Sequence, residues 1–526
     1  MANNDLRIDD RGLVMRPDPA PLPAGPATVA DVLRDALAAN PHAEALVGRS
    51  GRYTFRELDA AADAAGAALQ SLGIQAGDRV AASLPNDTPI LIAFLGAMRI
   101  GAIWVGVNRQ LTASEKTYML TDSGAKVFIT TAEMAGAADH WPCAVLTGDW
   151  LALVVEHRGR TPARPPINPH APAAISYTSG TTGFPKGAVH SQHNLLWQGV
   201  NILLNDPPPP NERQGVTFPL TLLNLVVLCA LQSWVVNVPL VCVDRTDALG
   251  LRDWIRDEQI TRIHFAPAMV FDLVNHPEVD IADLKSLRRP ECGGSATPPA
   301  LREVFQTTFG TKLYTGYGLT ECPGGAAREM PGQTLFPGGS GTALAPVDIV
   351  IVDENDNPVG PGVVGEVCIG PRKTGRWRDV YTPFLGYWNK PDATAKALRG
   401  GVLHTDDLGE LTKDGYLFIK DRRKDLLIRG GANVYPAEVE RVLATHPAVA
   451  ASAVLGLPDE RLGEIVAAVV QLRLGHEHSQ GEVALAEHCG RDLARYKVPT
   501  RWAFIDEFAR TPMGKIRKGD LKELFA

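Results

Sequence analysis

The run Tyr177-Thr-Ser-Gly-Thr-Thr-Gly-Phe-Pro-Lys-Gly187 sets three glycines and four hydroxyl side chains around a single lysine. Glycine frees the backbone to wrap an anion with N–H donors, and Thr178, Ser179, Thr181 and Thr182 add O–H donors. Lys186 can then neutralise the terminal phosphates of a nucleotide. The spacing of Gly180, Gly183 and Lys186 is not that of a GxxxxGK(S/T) loop, because Gly187 follows the lysine. An apolar run, Ala173-Ala-Ile, precedes the string, and a helix that Ser191 can cap follows it.

The elements that must hold such a loop read as alternating strands and helices. Val29, Val32, Leu33, Ala36 and Leu37 share one helical face. Thr54, three residues before Glu57, opens a second helix with a capping-box pattern, and Leu58, Ala61, Ala65 and Leu69 line that helix. Strand-like Arg79–Leu84 precedes a helix through Ile90–Met98, and a helix over Ser114–Thr121 precedes the strand Lys126–Thr130. This alternation predicts an α/β fold: a large N-terminal region of parallel-type sheets with helices. Residues 330–400 are turn-rich, and the runs Val347–Val352 and Gly365–Ile369 predict a small β subdomain. From about Asp425, a helix at Ala437–Ala444, strands at Val449–Leu455 and Ile465–Leu472 and a helix at Leu485–Arg491 predict a small α+β C-terminal domain. The expected division is an extended lead-in over 1–27, an N-terminal region over 28–423 and a C-terminal domain over 424–526.

Composition narrows the classes. A chain of 526 residues exceeds what one hydrophobic core organises, which fits this division. Net charge is −7 and spread over the chain, so no basic footprint argues for nucleic acid. Seven scattered cysteines, an odd number with no CxxC pair, argue against a disulfide framework or a cysteine-rich zinc site and fit a reducing cytoplasm. The first residues have no apolar core behind a basic lead, so no secretory signal is expected. Gln214–Val243 lacks Asp, Glu, Lys and Arg and is long enough to raise a membrane span. Pro219, Asn224, Gln232, Asn237 and Pro239 divide it, so the expected reading is a buried helix over Leu220–Val236 and a core strand over Pro239–Val243, with no membrane span.

The string at 177–187 resembles the phosphate-binding loop of the adenylate-forming superfamily, the acyl-CoA synthetases and AMP-dependent ligases. Other segments match in order and spacing. Tyr317-Gly-Leu-Thr-Glu321 resembles the family's adenine and magnesium motif, His404-Thr-Asp-Asp-Leu-Gly409 its ribose segment, and Asp421-Arg-Arg-Lys-Asp425 its interdomain hinge. Gly430-Gly-Ala-Asn-Val-Tyr-Pro-Ala-Glu-Val-Glu440 and Pro512-Met-Gly-Lys-Ile516 resemble signatures of its C-terminal domain.

The resemblance implies a two-step reaction: a carboxylate attacks the α-phosphorus of ATP to give acyl-AMP and pyrophosphate, and a thiol then displaces AMP. It assigns the nucleotide to Thr178, Ser179, Gly180, Thr181, Thr182, Gly183 and Lys186, with Tyr317, Gly318 and Thr320 at the adenine. Gly293, Gly294 and Ser295 let backbone approach the base closely. Glu321, a hard oxygen ligand, and Thr178 are implied for Mg²⁺. Asp407 is the implied ribose acceptor and Asp406 stands where the family often has glycine; Arg422 is the implied ribose and phosphate contact. Lys515 matches the catalytic lysine of the first step, Lys424 the pivot on which a mobile C-terminal domain rotates, and Gly430 and Gly431 the coenzyme A side of that domain.

The resemblance places an acyl pocket along the uncharged run from Thr217. Amino-acid-activating members carry an aspartate there, and this run has none, so an α-amino acid is disfavoured. Synthetases often read Pro-Leu-Phe-His where this chain reads Pro219-Leu-Thr-Leu-Leu-Asn224, which leaves Thr221, Leu222 and Asn224 as the wall. Fatty, alicyclic, steroid-like and aryl acids stay open. With no carrier or condensation module attached, coenzyme A is favoured as the thiol over a carrier protein. A luciferase-like oxygenase and a non-catalytic binder are the further alternatives, the latter opposed by the intact Lys515, Glu321 and 177–187 string. The expected partners are therefore a small carboxylic acid, ATP and coenzyme A, and a homodimer is compatible with the resemblance.

Overall fold

A computed structural model describes residues 7–135, 140–147, 150–178, 185–294, 297–422, 425–429, 432–459, 461–473, 481–510 and 516–525. Strands and sheets below are those of the described residues.

Two large sheets and a four-stranded sheet build the N-terminal region. The first runs, edge to edge, through Gly386–Tyr387, Gly187–Ser191, Pro172–Tyr177, Ile103–Gly106, Arg79–Ser83, Val127–Thr130 and Ala144–Thr147. It is parallel except at the hairpin of Pro172–Tyr177 and Gly187–Ser191 and at the short edge strand beyond it. In the second sheet Tyr314–Leu319, Arg289–Cys292, Arg262–Phe265, Gln214–Val216, Leu240–Cys242 and Glu44–Gly48 are all parallel. Antiparallel Val347–Val352, Gly365–Pro371, Leu403–Leu411 and Leu417–Arg422 form the smaller sheet, which extends the expected β subdomain by two strands beyond residue 400. The C-terminal domain packs helices Pro436–Leu443 and Gly481–Asp492 on a sheet centred on Gly463–Leu472.

Local chemistry explains most element boundaries. Thr54 caps the helix Phe55–Ser71: its hydroxyl accepts from the Glu57 N–H, and the Glu57 carboxylate accepts from the Thr54 N–H at 2.8 Å. The face bearing Leu58, Ala62, Ala65 and Leu69 is buried against the helix Thr88–Arg99. That second helix is buried on all sides, and its one guanidinium, Arg99, pairs with Asp59 and Asp63 across the contact. Ser191 caps Gln192–Asn205, its hydroxyl accepting from the Asn194 N–H at 3.1 Å.

Three expectations change. The helical face at 29–37 is split into a short 3-10 turn, Val29–Asp31, and a helix at Arg34–Ala39. The lead-in folds a two-stranded ribbon, Arg7–Ile8 with Val14–Met15, tied to the rest where Arg16 donates to the Pro383 and Phe384 carbonyls. The helix expected from Leu220 starts at Leu223, because the Leu220 N–H donates to the Asn86 side chain at 3.0 Å and a turn closes from Leu222 to Pro219. It widens to a π-helix over Val226–Leu231 and ends at Val235. No helix among the described residues is long and apolar enough to cross a membrane.

Candidate active site

The glycine- and hydroxyl-rich string joins the two strands of the hairpin in the first sheet. Its base is clamped: Tyr177 pairs with Gly187, the Thr178 N–H donates to the Lys186 carbonyl at 2.9 Å, and the Tyr118 hydroxyl donates to the Pro185 carbonyl at 3.1 Å. Ser179, Gly180, Thr181, Thr182 and Gly183 lie outside the described residues, as do Ser295, Lys424, Gly430, Gly431 and Lys515.

Lys186 leaves the hairpin with its ammonium 4.5 Å from the centre of the Tyr387 ring. The Tyr387 hydroxyl donates to Glu321 at 2.5 Å, so one tyrosine joins the phosphate-side lysine to the expected metal ligand. Burial raises the Glu321 carboxyl above its ordinary value, and the Tyr387 hydroxyl, Arg422 and Lys186 oppose that rise. The turn carrying Glu321 is tethered to the same hairpin, because fully buried His190 bonds the Thr320 carbonyl through Nε2 at 2.9 Å. Burial lowers the His190 imidazole to about 4, so it is neutral at physiological pH and serves as a strut.

A second group forms where the strand Tyr314–Leu319 faces the four-stranded sheet. The Tyr317 hydroxyl donates to Asp407 Oδ2 at 2.6 Å, and Arg422 Nε lies 3.1 Å from Asp407 Oδ1. Register makes this trio, since Asp407 and Arg422 sit opposite each other on adjacent strands. Burial works against the Arg422 charge, but Asp407, Tyr317 and Glu321 outweigh it and raise its pKa. Gly318 is glycine for a packing reason: a Cβ there would lie 2.7 Å from the Gly325 Cα on the neighbouring strand. Gly293 and Gly294 end the adjacent strand Arg289–Cys292, and Gly294 turns the chain with φ +86°.

Asp406 and Asp407 separate by backbone. Asp406 holds φ +58°, a left-handed position natural to glycine, with its side chain exposed and its N–H donating to Glu366 at 3.1 Å. Asp407 is buried and points at Tyr317 and Arg422. Asp406→Gly is therefore expected to leave activity and stability nearly unchanged, whereas Asp407→Asn, which removes a charge-assisted acceptor, should raise the KM for ATP by roughly 10–100-fold. Steady-state kinetics on the pair checks this; equal losses in both would reverse the assignment.

Asn224 lies in a helix, opened by Thr221 and Leu222, that packs against the strand Cys322–Arg328 directly after Glu321. The Thr221 carbonyl is pressed against Gly106, where a Cβ would sit 2.0 Å from that oxygen, and Leu222 packs against the main core. Thr221 Oγ1 and Asn224 Oδ1 are buried without a hydrogen-bond partner among the described residues. At the domain junction Asp421 accepts from the Ala437 N–H at 2.8 Å, in the first turn of the C-terminal helix Pro436–Leu443. Lys518 is partly buried and pairs with Glu440 at 2.6 Å. Tyr387 and His190 were not legible as site residues: each acquires its role only through strand pairing or packing with distant segments.

Two parallel-type sheets, a β subdomain and a small α+β domain around a Gly/Thr/Ser string and a Tyr–Asp–Arg trio define an adenylate-forming enzyme. The chain belongs to the AMP-binding enzyme family, which matches residues 33–376, and the AMP-binding enzyme C-terminal domain matches residues 438–515. It is 33% identical over 511 residues to the long-chain-fatty-acid–CoA ligase FadD13 of Mycobacterium tuberculosis, covering 94% of this chain and 98% of that one. It is also 33% identical to a feruloyl-CoA synthase of Amycolatopsis, over 92% of this chain and 96% of that one. The crystal structure of the anthranilate CoA ligase AuaEII in complex with anthranoyl-AMP superposes with a TM-score of 0.87 at 25% identity, covering 94% of this chain and 96% of that one. With these relatives the chain is an acid–thiol ligase of the AMP-forming acyl-CoA synthetase class.

Proposed function

We propose that this enzyme activates a hydrophobic carboxylic acid as its acyl-adenylate and transfers the acyl group to coenzyme A, in the cytoplasm and with Mg²⁺. The observation that supports the reading best is the meeting of Lys186–Tyr387–Glu321 with Tyr317–Asp407–Arg422, read as a phosphate side and a ribose side, contributed by three sheets. All seven cysteines are free, which suits a reducing compartment.

In the first step a substrate carboxylate oxygen bonds to the α-phosphorus and pyrophosphate leaves. Tyr317 presents a flat face to adenine, Asp407 accepts from the ribose hydroxyls, and Arg422 holds charge beside both. Lys186 and the hydroxyls of Thr178, Ser179, Thr181 and Thr182 take the leaving phosphates, and Lys515 is assigned to the attacking carboxylate. In the second step the thiol sulfur bonds to the acyl carbon and AMP leaves. Glu321 and Thr178 fit a hard divalent cation: a buried carboxylate whose charge is disfavoured in isolation gains most from such a partner. Mg²⁺ bound there would neutralise triphosphate charge.

Glu321→Gln keeps the size and removes the charge, so the Mg²⁺ concentration for half-maximal activity should rise severalfold with the fold intact. A magnesium titration that superimposes on the wild type removes Glu321 from the metal site. The thiol is tested by thioester formation with coenzyme A against a phosphopantetheinyl carrier protein, across straight-chain, aryl and polycyclic acids.

A further inference from the structure

The face of the second sheet that meets the uncharged helix is not apolar throughout. Ile263, Phe265 and Cys292 point to the opposite side, into the core with Phe305. The alternate positions Arg262, His264, Arg289 and Glu291 therefore point toward the helix, where His264 Nδ1 lies 3.6 Å from Cys229 Sγ in the π-helical turn. Arg328 reaches in from the strand Cys322–Arg328, one strand further out, where it sits opposite Gly316. All five side chains are buried.

Their hydrogen bonds do not all close. Glu291 takes Arg262 at 2.9 Å, His264 at 3.0 Å, Arg289 at 3.3 Å and Arg328 at 3.7 Å. Arg289 has a second carboxylate, Asp206. The three guanidiniums share Glu291 and Asp206, with Glu212 also attracted to Arg262 and Arg289, yet Arg328 Nη2 is buried with no hydrogen-bond partner among the described residues. Burial pushes the Arg328 guanidinium down to about 10. A buried guanidinium N–H without an acceptor is a costly arrangement for a fold to keep.

The position of the cluster suggests what it is for. Gly293, just past the strand's end and two residues beyond Glu291, has open space where its Cβ would be. Two residues of strand are ~7 Å. A chain lying on this face from Gly293, under the helix assigned to the acyl pocket, would reach Glu291 and, 3.7 Å from its carboxylate, Arg328. We propose that the acid carries a second oxygen acceptor, a keto or carboxylate oxygen several carbons from the reacting carboxyl, which docks on Arg328. The inference rests on the acyl-ligase reading above and refines its substrate: the acid is apolar in its middle and polar at its far end.

The test compares octanoate, its terminal methyl-ketone analogue and suberate in ATP–pyrophosphate exchange, alongside aryl and polycyclic acids with and without a distal keto group. The wild type should favour the oxygen-bearing member of a matched pair by about tenfold or more in kcat/KM, since a site built to hydrogen-bond a substrate group discriminates strongly against its absence. Whether ketone or carboxylate leads identifies the source of the oxygen. Arg328→Met should bring that ratio close to one, and Arg328→Gln, which keeps an N–H donor, should retain part of the preference for the ketone. The ratio is read within each protein, and the wild-type comparison stands even if a variant does not fold. Equal or better use of the unsubstituted acids by the wild type overturns the inference and leaves the ligase reading standing. No exchange with any acid overturns the ligase reading itself.

Discussion

Lys515→Ala is expected to slow acyl-adenylate formation by ~10²–10³-fold while largely sparing thioester formation from supplied acyl-AMP. The argument is electrostatic. As the carboxylate approaches the α-phosphorus, two anionic groups converge and negative charge grows on the pentavalent centre. A fixed ammonium lowers the energy of that arrangement more than that of the separated reactants, which is the condition for accelerating the step. In the second step the attacking group is a thiol and the leaving group is AMP, so the lysine is not needed at phosphorus. Separate half-reaction assays check the split, and equal losses in both would contradict the role assigned to Lys515.

What could be read ahead of the structure, and what could not, follows the range of the interactions involved. The Thr54–Glu57 capping box and the Ser191 cap were legible because each is closed within three residues. The β run Val347–Val352 was legible to the residue because its apolar stretch is bounded by turns. The start of the helix at Leu223 was not, since the side chain that stops it, Asn86, is distant in sequence. The same limit applies at the site. Tyr317, Glu321, Asp407 and Arg422 stand out as motif residues, and the left-handed backbone at Asp406 supplies the physical reason for choosing its neighbour. Tyr387 lies in a turn-rich stretch with no motif, and only the pairing of Gly386–Tyr387 with Ala188–Val189 brings its ring to Lys186. The charged face around Glu291 was likewise hidden, because five residues from three strands form it.

Lys424→Pro is expected to preserve ATP–pyrophosphate exchange and to abolish most coenzyme A-dependent turnover. If the C-terminal domain acts in both half-reactions through different faces, one set of backbone torsions between the domains must change in each cycle. Proline fixes φ near −65° and restricts the residue before it, Arg423. One contact across position 424 would resist such a rotation. Asp421, on the N-terminal side, accepts from the Ala437 N–H of the C-terminal helix, a bond that rotation about 424 would break, whereas Lys518 and Glu440 would move together. A folded variant that loses neither half-reaction, or both equally, would show that the pivot lies elsewhere.

The central claim, that the Tyr317–Asp407–Arg422 trio and the Lys186–Tyr387–Glu321 chain serve acyl-adenylate chemistry, is tested most directly by acid-dependent ATP–pyrophosphate exchange in the wild type. The account predicts exchange that requires a hydrophobic acid and Mg²⁺, proceeds without any thiol, and gives way to AMP and acyl-CoA release when coenzyme A is added. Absence of exchange across straight-chain, aryl and polycyclic acids, in protein that binds ATP, would contradict it.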